Sequence, residues 1–238
     1  MFSESAELYD AIYSKVKNYE EEAHKVRSWI KKLHPEARTL LDVACGTGEH
    51  ARFLKEQYRI DGLDLSPEFV RIAGRKNPAG TYRVADMTAF DMGKTYDVIV
   101  CLFSSIGYVV SKEKLHAAIA CFANHLNPNG LMLIEPWFTP EQWNPGRPHM
   151  ITVDEAQLKV CRMNISETRD RKSFFRFHYL VGTPEKVIHF TEDHTLGLFT
   201  TPQMKEAFAA ADLAVEFDEQ GIFGRGLYTA KRTKDLGP

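Results

Sequence analysis

Apolar positions run along the chain in two different rhythms. From Glu4 to Leu33 a charged segment carries Leu8, Ile12, Val16, Val26, Trp29, Ile30 and Leu33 at helical spacings, and His34-Pro35 ends it because a proline pushes the residue before it out of the helical region. This segment predicts a helical lid. From Thr39 short β-rich runs alternate with amphipathic stretches: strand 39–43, helix 49–57, strand 59–65, helix 67–76, then strands 81–84 and 96–103, helix 112–126 and strand 131–135. Alternation of that kind predicts an α/β fold with a parallel sheet covered on both faces and joined by right-handed crossovers.

Between Phe138 and Thr200 the pattern changes, and 157–165, 173–181 and 186–198 read as strands separated by turns, with no good helix among them. They predict an inserted antiparallel sheet. A helix at 202–211 and strands at 214–218 and 226–231 return to the main domain, where an antiparallel hairpin edge completes a Rossmann-like, doubly wound sheet of seven strands. The expected organisation is one domain from 1–137 and 201–238, interrupted by a small antiparallel sheet at 138–200.

Composition narrows the partners. Against 32 Asp and Glu stand 30 Lys and Arg, a formal charge of −2, and the basic residues are scattered, so electrostatics gives no reason to expect nucleic acid. Cys45, Cys101, Cys121 and Cys161 have no metal-type spacing and three lie in apolar runs, the usual place for a small buried thiol. A reduced, cytoplasmic protein without metal is expected. No apolar run approaches the roughly 20 residues that span a bilayer, and no export signal stands at the N-terminus.

Open α/β sheets bind ligands at the carboxyl ends of their strands. There, Leu41-Asp42-Val43-Ala44-Cys45-Gly46-Thr47-Gly48 reads as a strand running into a glycine loop, where Gly46 and Gly48 allow a sharp turn and close backbone approach. Asp64, followed by Leu65, ends the second strand, where a carboxylate can accept both ribose hydroxyls. Asp86-Met87 follows the third, where a carboxylate can accept from an adenine amine and a thioether can pack on the ring. Phe103-Ser104-Ser105 follows the fourth, beside the expected reversal of strand order. A nicotinamide dinucleotide site competes, because Gly46-Thr47-Gly48-Glu49-His50-Ala51 also fits a loose G-x-G-x-x-A. Asp42 and Asp86-Met87 favour S-adenosylmethionine: a carboxylate before the loop suits a sulfonium cofactor with an amino-acid tail better than a pyrophosphate.

These residues, with Gly62-Leu63-Asp64-Leu65-Ser66, Phe103-Ser104-Ser105-Ile106-Gly107-Tyr108, Glu135-Pro136-Trp137 and Gly224-Arg225-Gly226-Leu227, resemble the class I methyltransferases. Within them the chain is most similar to the N,N-dimethyltransferases of nucleotide-linked 3-amino-deoxysugars in macrolide biosynthesis, along nearly its full length. The resemblance implies methyl transfer to the amine of a small molecule and a homodimer paired through the insert. It places Asp42, Ala44, Gly46, Gly48, Asp64, Leu65, Asp86, Met87 and Phe103, with Tyr19 of the lid, around the cofactor. Tyr13 would close over cofactor and acceptor, and Tyr108 would sit beside the acceptor amine. Ser104, Ser105, Arg162, Asn164, Ser166 and Arg225 would face the acceptor, the arginine pair suiting a diphosphate.

Bland explanations stand beside several of these. Tyr108 can line the pocket with no proton role, and Tyr9 or Tyr19 can take the place given to Tyr13. Isolated strand histidines such as His178, His189 and His194 are more often structural than ligand-binding, and His125 suits a helix end. Arg169-Asp170-Arg171-Lys172 reads as a solvated turn. Glu135 can hold an acceptor group or serve the backbone of its own loop. No Asn/Asp-Pro-Pro-aromatic segment follows the fourth strand, which argues for a small-molecule acceptor over a nucleobase or amide. Methylation of another metabolite at oxygen or nitrogen, and a cofactor-binding scaffold without turnover, are the competing functions.

Overall fold

The computed structural model describes residues 5–232; Glu4, where the lid was expected to begin, and the tail beyond 232 lie outside the described residues. The main sheet comprises β1 (Thr39–Val43), β2 (Arg59–Asp64), β3 (Tyr82–Val84), β4 (Tyr96–Cys101), β5 (Leu126–Ile134), β10 (Leu213–Asp218) and β11 (Leu227–Arg232), in the order β10-β11-β5-β4-β1-β2-β3. The strands from β1 to β5 pair in parallel, and β11 runs antiparallel to both β5 and β10. This is the expected doubly wound sheet with a hairpin edge. Strand order reverses between β1 and β4, so the loops that leave these two strands open a crevice at their carboxyl ends.

The helices begin where their capping chemistry dictates. α2 (Tyr19–Leu33) starts after Asn18, whose side chain accepts from Glu21 N–H, with glutamates in the first turn and lysines in the last to complement the helix dipole. Ser66, followed by Pro67, caps α4 (Pro67–Lys76), and Ser111 caps α5 (Lys112–Asn124). α3 (Glu49–Leu54) stops three residues short of the expected end, and α6 (Thr201–Ala209) carries a full Thr200/Gln203 capping box. β5 begins at Leu126, before the expected 131, because Asn127-Pro128-Asn129-Gly130 is accommodated as an irregularity in its pairing with β4. His125, at the end of α5, is a buried structural residue, its rings' nitrogens facing Cys121 O and Met92 N–H at 2.9 and 3.2 Å.

The insert has four strands, one more than expected: β6 (Pro148–Asp154), β7 (Lys159–Arg169), β8 (Lys172–Gly182) and β9 (Val187–Gly197), antiparallel throughout. β6 escapes a pattern reading because it is an edge strand. It opens on a proline, whose missing N–H needs no partner there, and only Val153 along it is buried. The expected Arg169–Lys172 turn joins β7 to β8, with Asp170 and Arg171 at positive φ of 48° and 60°.

The expected lid is two elements with different allegiances. α2 packs Ala23, Val26 and Ile30 with Ala51 and Leu54 of α3 in the core on one face of the main sheet. α1 (Tyr9–Tyr13) instead places Ile12 and Tyr13 in a separate core with Val153, Val160, Tyr179 and Val181 of the insert. Val16, between the two helices, is exposed, outside the apolar face expected of it. Gly62 on β2 lets the sheet close beneath the glycine loop, since a Cβ there would meet the Tyr82 ring at 2.7 Å and Cys45 Sγ at 3.0 Å. Gly62→Ala is expected to cost about 1–3 kcal/mol in urea denaturation.

Candidate functional site

A cavity of about 730 Å³ opens at the carboxyl ends of β1, β2 and β4, roofed by the insert and closed on one side by α1. Its first wall is the loop after β1. Ala44, Gly46 and Gly48 all take positive φ, 59°, 55° and 77°, so the chain coils tightly. Cys45 N–H donates to Leu63 O at 2.9 Å, and Gly46 N–H donates to Asp64 Oδ2 at 3.0 Å. Asp64 Oδ1 also accepts from Ser66 N–H at 2.9 Å, and burial raises its pKa against those bonds. Ala44, Gly46, Asp64 and Leu65 line the cavity; Gly48 does not, and serves instead as the N-cap of α3, packed against Ala73 and Asn77 of α4.

Asp42 lies beneath this loop, 2% exposed, and its Oδ2 has no partner among the described residues. Burial, with the nearby Asp64 charge adding to it, pushes its pKa up to about 7. Asp42 is absent from the cavity lining, so the direct cofactor contact expected of it is not seen: its side chain is sealed beneath the loop. Asp86 and Met87 line the cavity further along, with Asp86 Oδ1 accepting both the N–H and the hydroxyl of Thr88 at 2.8 Å.

The second wall follows β4. Phe103 and Ser104 both adopt left-handed φ, 52° and 61°, and Phe103 N–H is caught by Glu135 Oε2 at 2.7 Å. Glu135 Oε1 accepts from Arg225 Nε and Nη2 at 3.2 and 3.0 Å, so this buried carboxylate serves the turn and an arginine that lines the cavity. Ser104 turns away: its hydroxyl is buried and donates to Pro136 O at 2.6 Å, which removes it from the acceptor wall expected of it. Ser105 remains on the lining and starts a 3₁₀ turn, Ser105–Val109, that presents Tyr108. Tyr108 lies with its hydroxyl 2.8 Å from His194 Nδ1 on β9. Burial raises the Tyr108 pKa well above its ordinary value and lowers that of His194.

The insert supplies the roof. Arg162, Asn164 and Ser166 alternate along β7 onto its inner, buried face and line the cavity. Arg162 Nη1 donates to Tyr13 OH at 3.0 Å, with its guanidinium 5.0 Å from the Tyr13 ring and 4.5 Å from that of Phe177. Tyr13 in turn sits edge-on to Phe103 at 5.3 Å. Tyr9 also lines the cavity, whereas Tyr19 does not: its ring stands 5.1 Å from His50 in the core that joins lid and insert. His178 and His189 lie exposed on the other face of the insert, stacked 5.8 Å apart.

One important residue carried no signal in the sequence. Lys17, in the short link between α1 and α2, is buried with its Nζ 3.3 Å from the Phe103 ring centroid and 2.9 Å from Glu22, which also meets His50 at 2.7 Å. Burial lowers the Lys17 pKa. A lone lysine in a lysine-rich segment has no spacing that marks it as buried. The lid is tied to the loop after β1 as well, through Thr47 Oγ1 donating to Asp10 Oδ1 at 2.5 Å, with Lys76 joining Asp10 to Glu49.

A methyltransferase-domain family model matches residues 40–130. A dTDP-3-amino-3,6-dideoxy-α-D-glucopyranose N,N-dimethyltransferase of Streptomyces fradiae is 39% identical over 229 residues, 95% of this chain and 90% of its own. Streptomyces venezuelae DesVI superposes with a TM-score of 0.92 at 35% identity, covering 98% of this chain and 100% of that one. CalS10 with bound S-adenosylmethionine, an amino pentose methyltransferase of Micromonospora echinaspora, gives a TM-score of 0.86 at 31% identity, over 98% of each chain.

Asp42 makes stability depend on pH. Folded, it keeps its proton to about pH 7, whereas an unfolded aspartate releases it near 4. Across that window the folded state binds more protons, so stability falls as pH rises and the deficit is complete above 7. Asp42→Asn is expected to stabilise the ligand-free protein by on the order of 3 kcal/mol near pH 8 and to change little near pH 4, read from urea denaturation at both.

Proposed function

The chain belongs to the S-adenosylmethionine-dependent amino-deoxysugar N,N-dimethyltransferase family, and from that premise we propose that its acceptor is a nucleoside-diphosphate-linked amino-deoxysugar held in the 730 Å³ cavity. The observation that carries the proposal is the polarity of that single cavity. Carboxylates from Asp64 and Asp86 line one part of it, and two guanidinium groups line another, Arg162 from the insert and Arg225, paired with Glu135, from the turn before β11. The first suits a ribose and an adenine amine, the second a diphosphate, for which an arginine's planar fork is the best match.

The residues fit the cofactor. Space lies open at Gly46, where a Cβ would touch nothing within 4 Å, and the Asp64 carboxylate that accepts the Gly46 N–H stands on the lining beside it. S-adenosylmethionine supplies an electrophilic methyl group on sulfur. The protein's part is alignment: holding donor and acceptor in one geometry removes most of the entropic barrier to a displacement that needs no strong base. Tyr13, fixed by Arg162, closes the cavity against water, and Tyr108 orients the acceptor amine. We further propose that the enzyme is cytoplasmic and pairs as a homodimer through the outer face of the insert, where Met163, Ile165 and Leu180 are exposed.

Two measurements test this reading. Asp64→Ala is expected to weaken S-adenosylhomocysteine binding about 10- to 100-fold by calorimetry, the loss of one or two charge-assisted hydrogen bonds; unchanged affinity removes Asp64 from the ribose. Arg225→Lys, which keeps the positive charge beside Glu135 and loses the planar fork, is expected to raise the KM of a dTDP-linked amino sugar by on the order of 10-fold while leaving that of the corresponding free amino sugar within about twofold. An equal effect on both would count against a phosphate contact.

A further inference from the structure

The pairing of Tyr108 with His194 goes beyond shaping the cavity. Tyr108 leaves part of its ring on the cavity, 38% exposed as a residue, whereas His194 is 1% exposed and reaches the cavity only through the Tyr108 hydroxyl, 2.8 Å from its Nδ1. The geometry is held from several sides. A Cβ at Gly107 would meet Leu196 at 3.0 Å and Trp137 at 3.1 Å, so the turn bearing Tyr108 is pressed directly against β9. The Phe177 ring lies 5.0 Å from the imidazole. On the far side, His194 Nε2 stands 4.0 Å from Glu192 Oε2, and Glu192 is itself anchored by the Ser5 N–H and hydroxyl at 3.2 and 2.6 Å. A hydroxyl on the cavity, an imidazole behind it and a buried carboxylate near the imidazole's far nitrogen therefore follow one another.

We propose that His194 is a positioning residue and proton acceptor for methyl transfer, taking through Tyr108 the proton that an acceptor ammonium must lose before its nitrogen can attack. This rests on the reading that places the acceptor amine beside Tyr108. In the resting state the imidazole is neutral, its Nδ1 accepting from the Tyr108 hydroxyl and its Nε2 proton directed toward Glu192. The Tyr108 oxygen then keeps its lone pairs for an N–H of the acceptor. As the ammonium N–H bond breaks and its electron pair returns to nitrogen, the proton joins the Tyr108 oxygen and the proton formerly on that oxygen joins Nδ1. Tyr108 ends as it began, His194 carries the positive charge, and Glu192 faces it until the proton leaves to water. Dimethylation needs this twice, because the once-methylated nitrogen is again an ammonium.

The charged and titratable groups around His194 set when it can act. Glu192 on the same strand favours the imidazolium, whereas burial and the Arg162 guanidinium on β7 oppose it. Tyr108 from the 3₁₀ turn is neutral over the working range, burial holding its hydroxyl proton. His194 thus stays neutral at pH 7 until a proton is delivered.

His194→Asn keeps an acceptor atom near the place of Nδ1 but cannot bind the proton. It is expected to lower kcat by on the order of 100-fold at pH 7, with acceptor KM within about twofold, and to recover as pH passes the acceptor amine's own pKa. Tyr108→Phe should show the same loss, and the double variant no more than about threefold beyond either single, as for groups acting in one chain. Unchanged S-adenosylhomocysteine affinity certifies the fold of each variant. In the unaltered, ligand-free protein, histidine-ring 15N NMR should show neutral His194 protonated on Nε2, with an Nδ1 signal that moves in Tyr108→Phe. Wild-type kcat and pH profile in His194→Asn beside an impaired Tyr108→Phe would overturn the relay alone. An unimpaired Tyr108→Phe would instead remove the amine from Tyr108 and with it the underlying reading. A His194 protonated on Nδ1 in the NMR experiment would overturn the relay even were the Asn variant to fail to fold.

Discussion

Glu135 is the buried charge around which the site is assembled. It follows β5, its own N–H donates to Cys101 O, and its two carboxylate oxygens hold the Phe103 amide and the Arg225 side chain. Two consecutive left-handed residues after β4 are costly for side chains larger than glycine, and they persist only where surrounding bonds over-determine them. Glu135 supplies one of those bonds and Ser104 to Pro136 another. A carboxylate so buried would itself be costly if unpaired, and Arg225 provides the countercharge. The same turn sets the Phe103 ring under Lys17 and beside Tyr13, so the lid, the fourth strand, the fifth strand and the final hairpin meet at one carboxylate.

What the sequence makes legible follows from how local each signal is. The β1 loop, Asp64 and Asp86-Met87 stand at strand ends that periodicity alone locates, and the parallel order with its antiparallel hairpin follows from alternation and crossover rules. Glycines marked the loop, although Gly48 turned out to serve helix packing more than ligand approach. Side-chain direction was not legible: Ser104 and Ser105 are neighbours, yet one is buried against Pro136 and the other lines the cavity, a difference set by the left-handed turn. Nor was the pairing of Tyr108 with His194, 86 residues apart in sequence, since strand register across the insert decides it. β6 was missed because an edge strand need satisfy neither the alternation nor the hydrogen-bonding demands of a central one.

The cavity's two ends use charge in opposite ways. On the β1 side the Asp64 carboxylate lines the cavity with backbone N–H groups for its hydrogen bonds, and burial raises its pKa. On the insert side, Arg162 is flanked by aromatic rings and a tyrosine hydroxyl but by no carboxylate among its described hydrogen bonds, so its charge is presented to the cavity with little cancellation. Both arrangements are unfavourable in the empty protein. Sites commonly carry such costs, since the ligand's own charge is what relieves them.

The division of the lid between two cores bears on how such a protein can be inherited in pieces. α1 shares a core with the insert, joined there by Tyr19 at the start of α2, while Ala23, Val26 and Ile30 of α2 pack with α3 on the main sheet. An insert borrowed from a relative would therefore arrive without the half of the lid moulded to it, and would leave Ile12 and Tyr13 facing a foreign surface. Residues 5–13 and the four-stranded sheet are thus fitted to each other despite lying more than a hundred residues apart, while Asp10 and Tyr9 also bind that segment to Thr47 and Phe69 of the main domain.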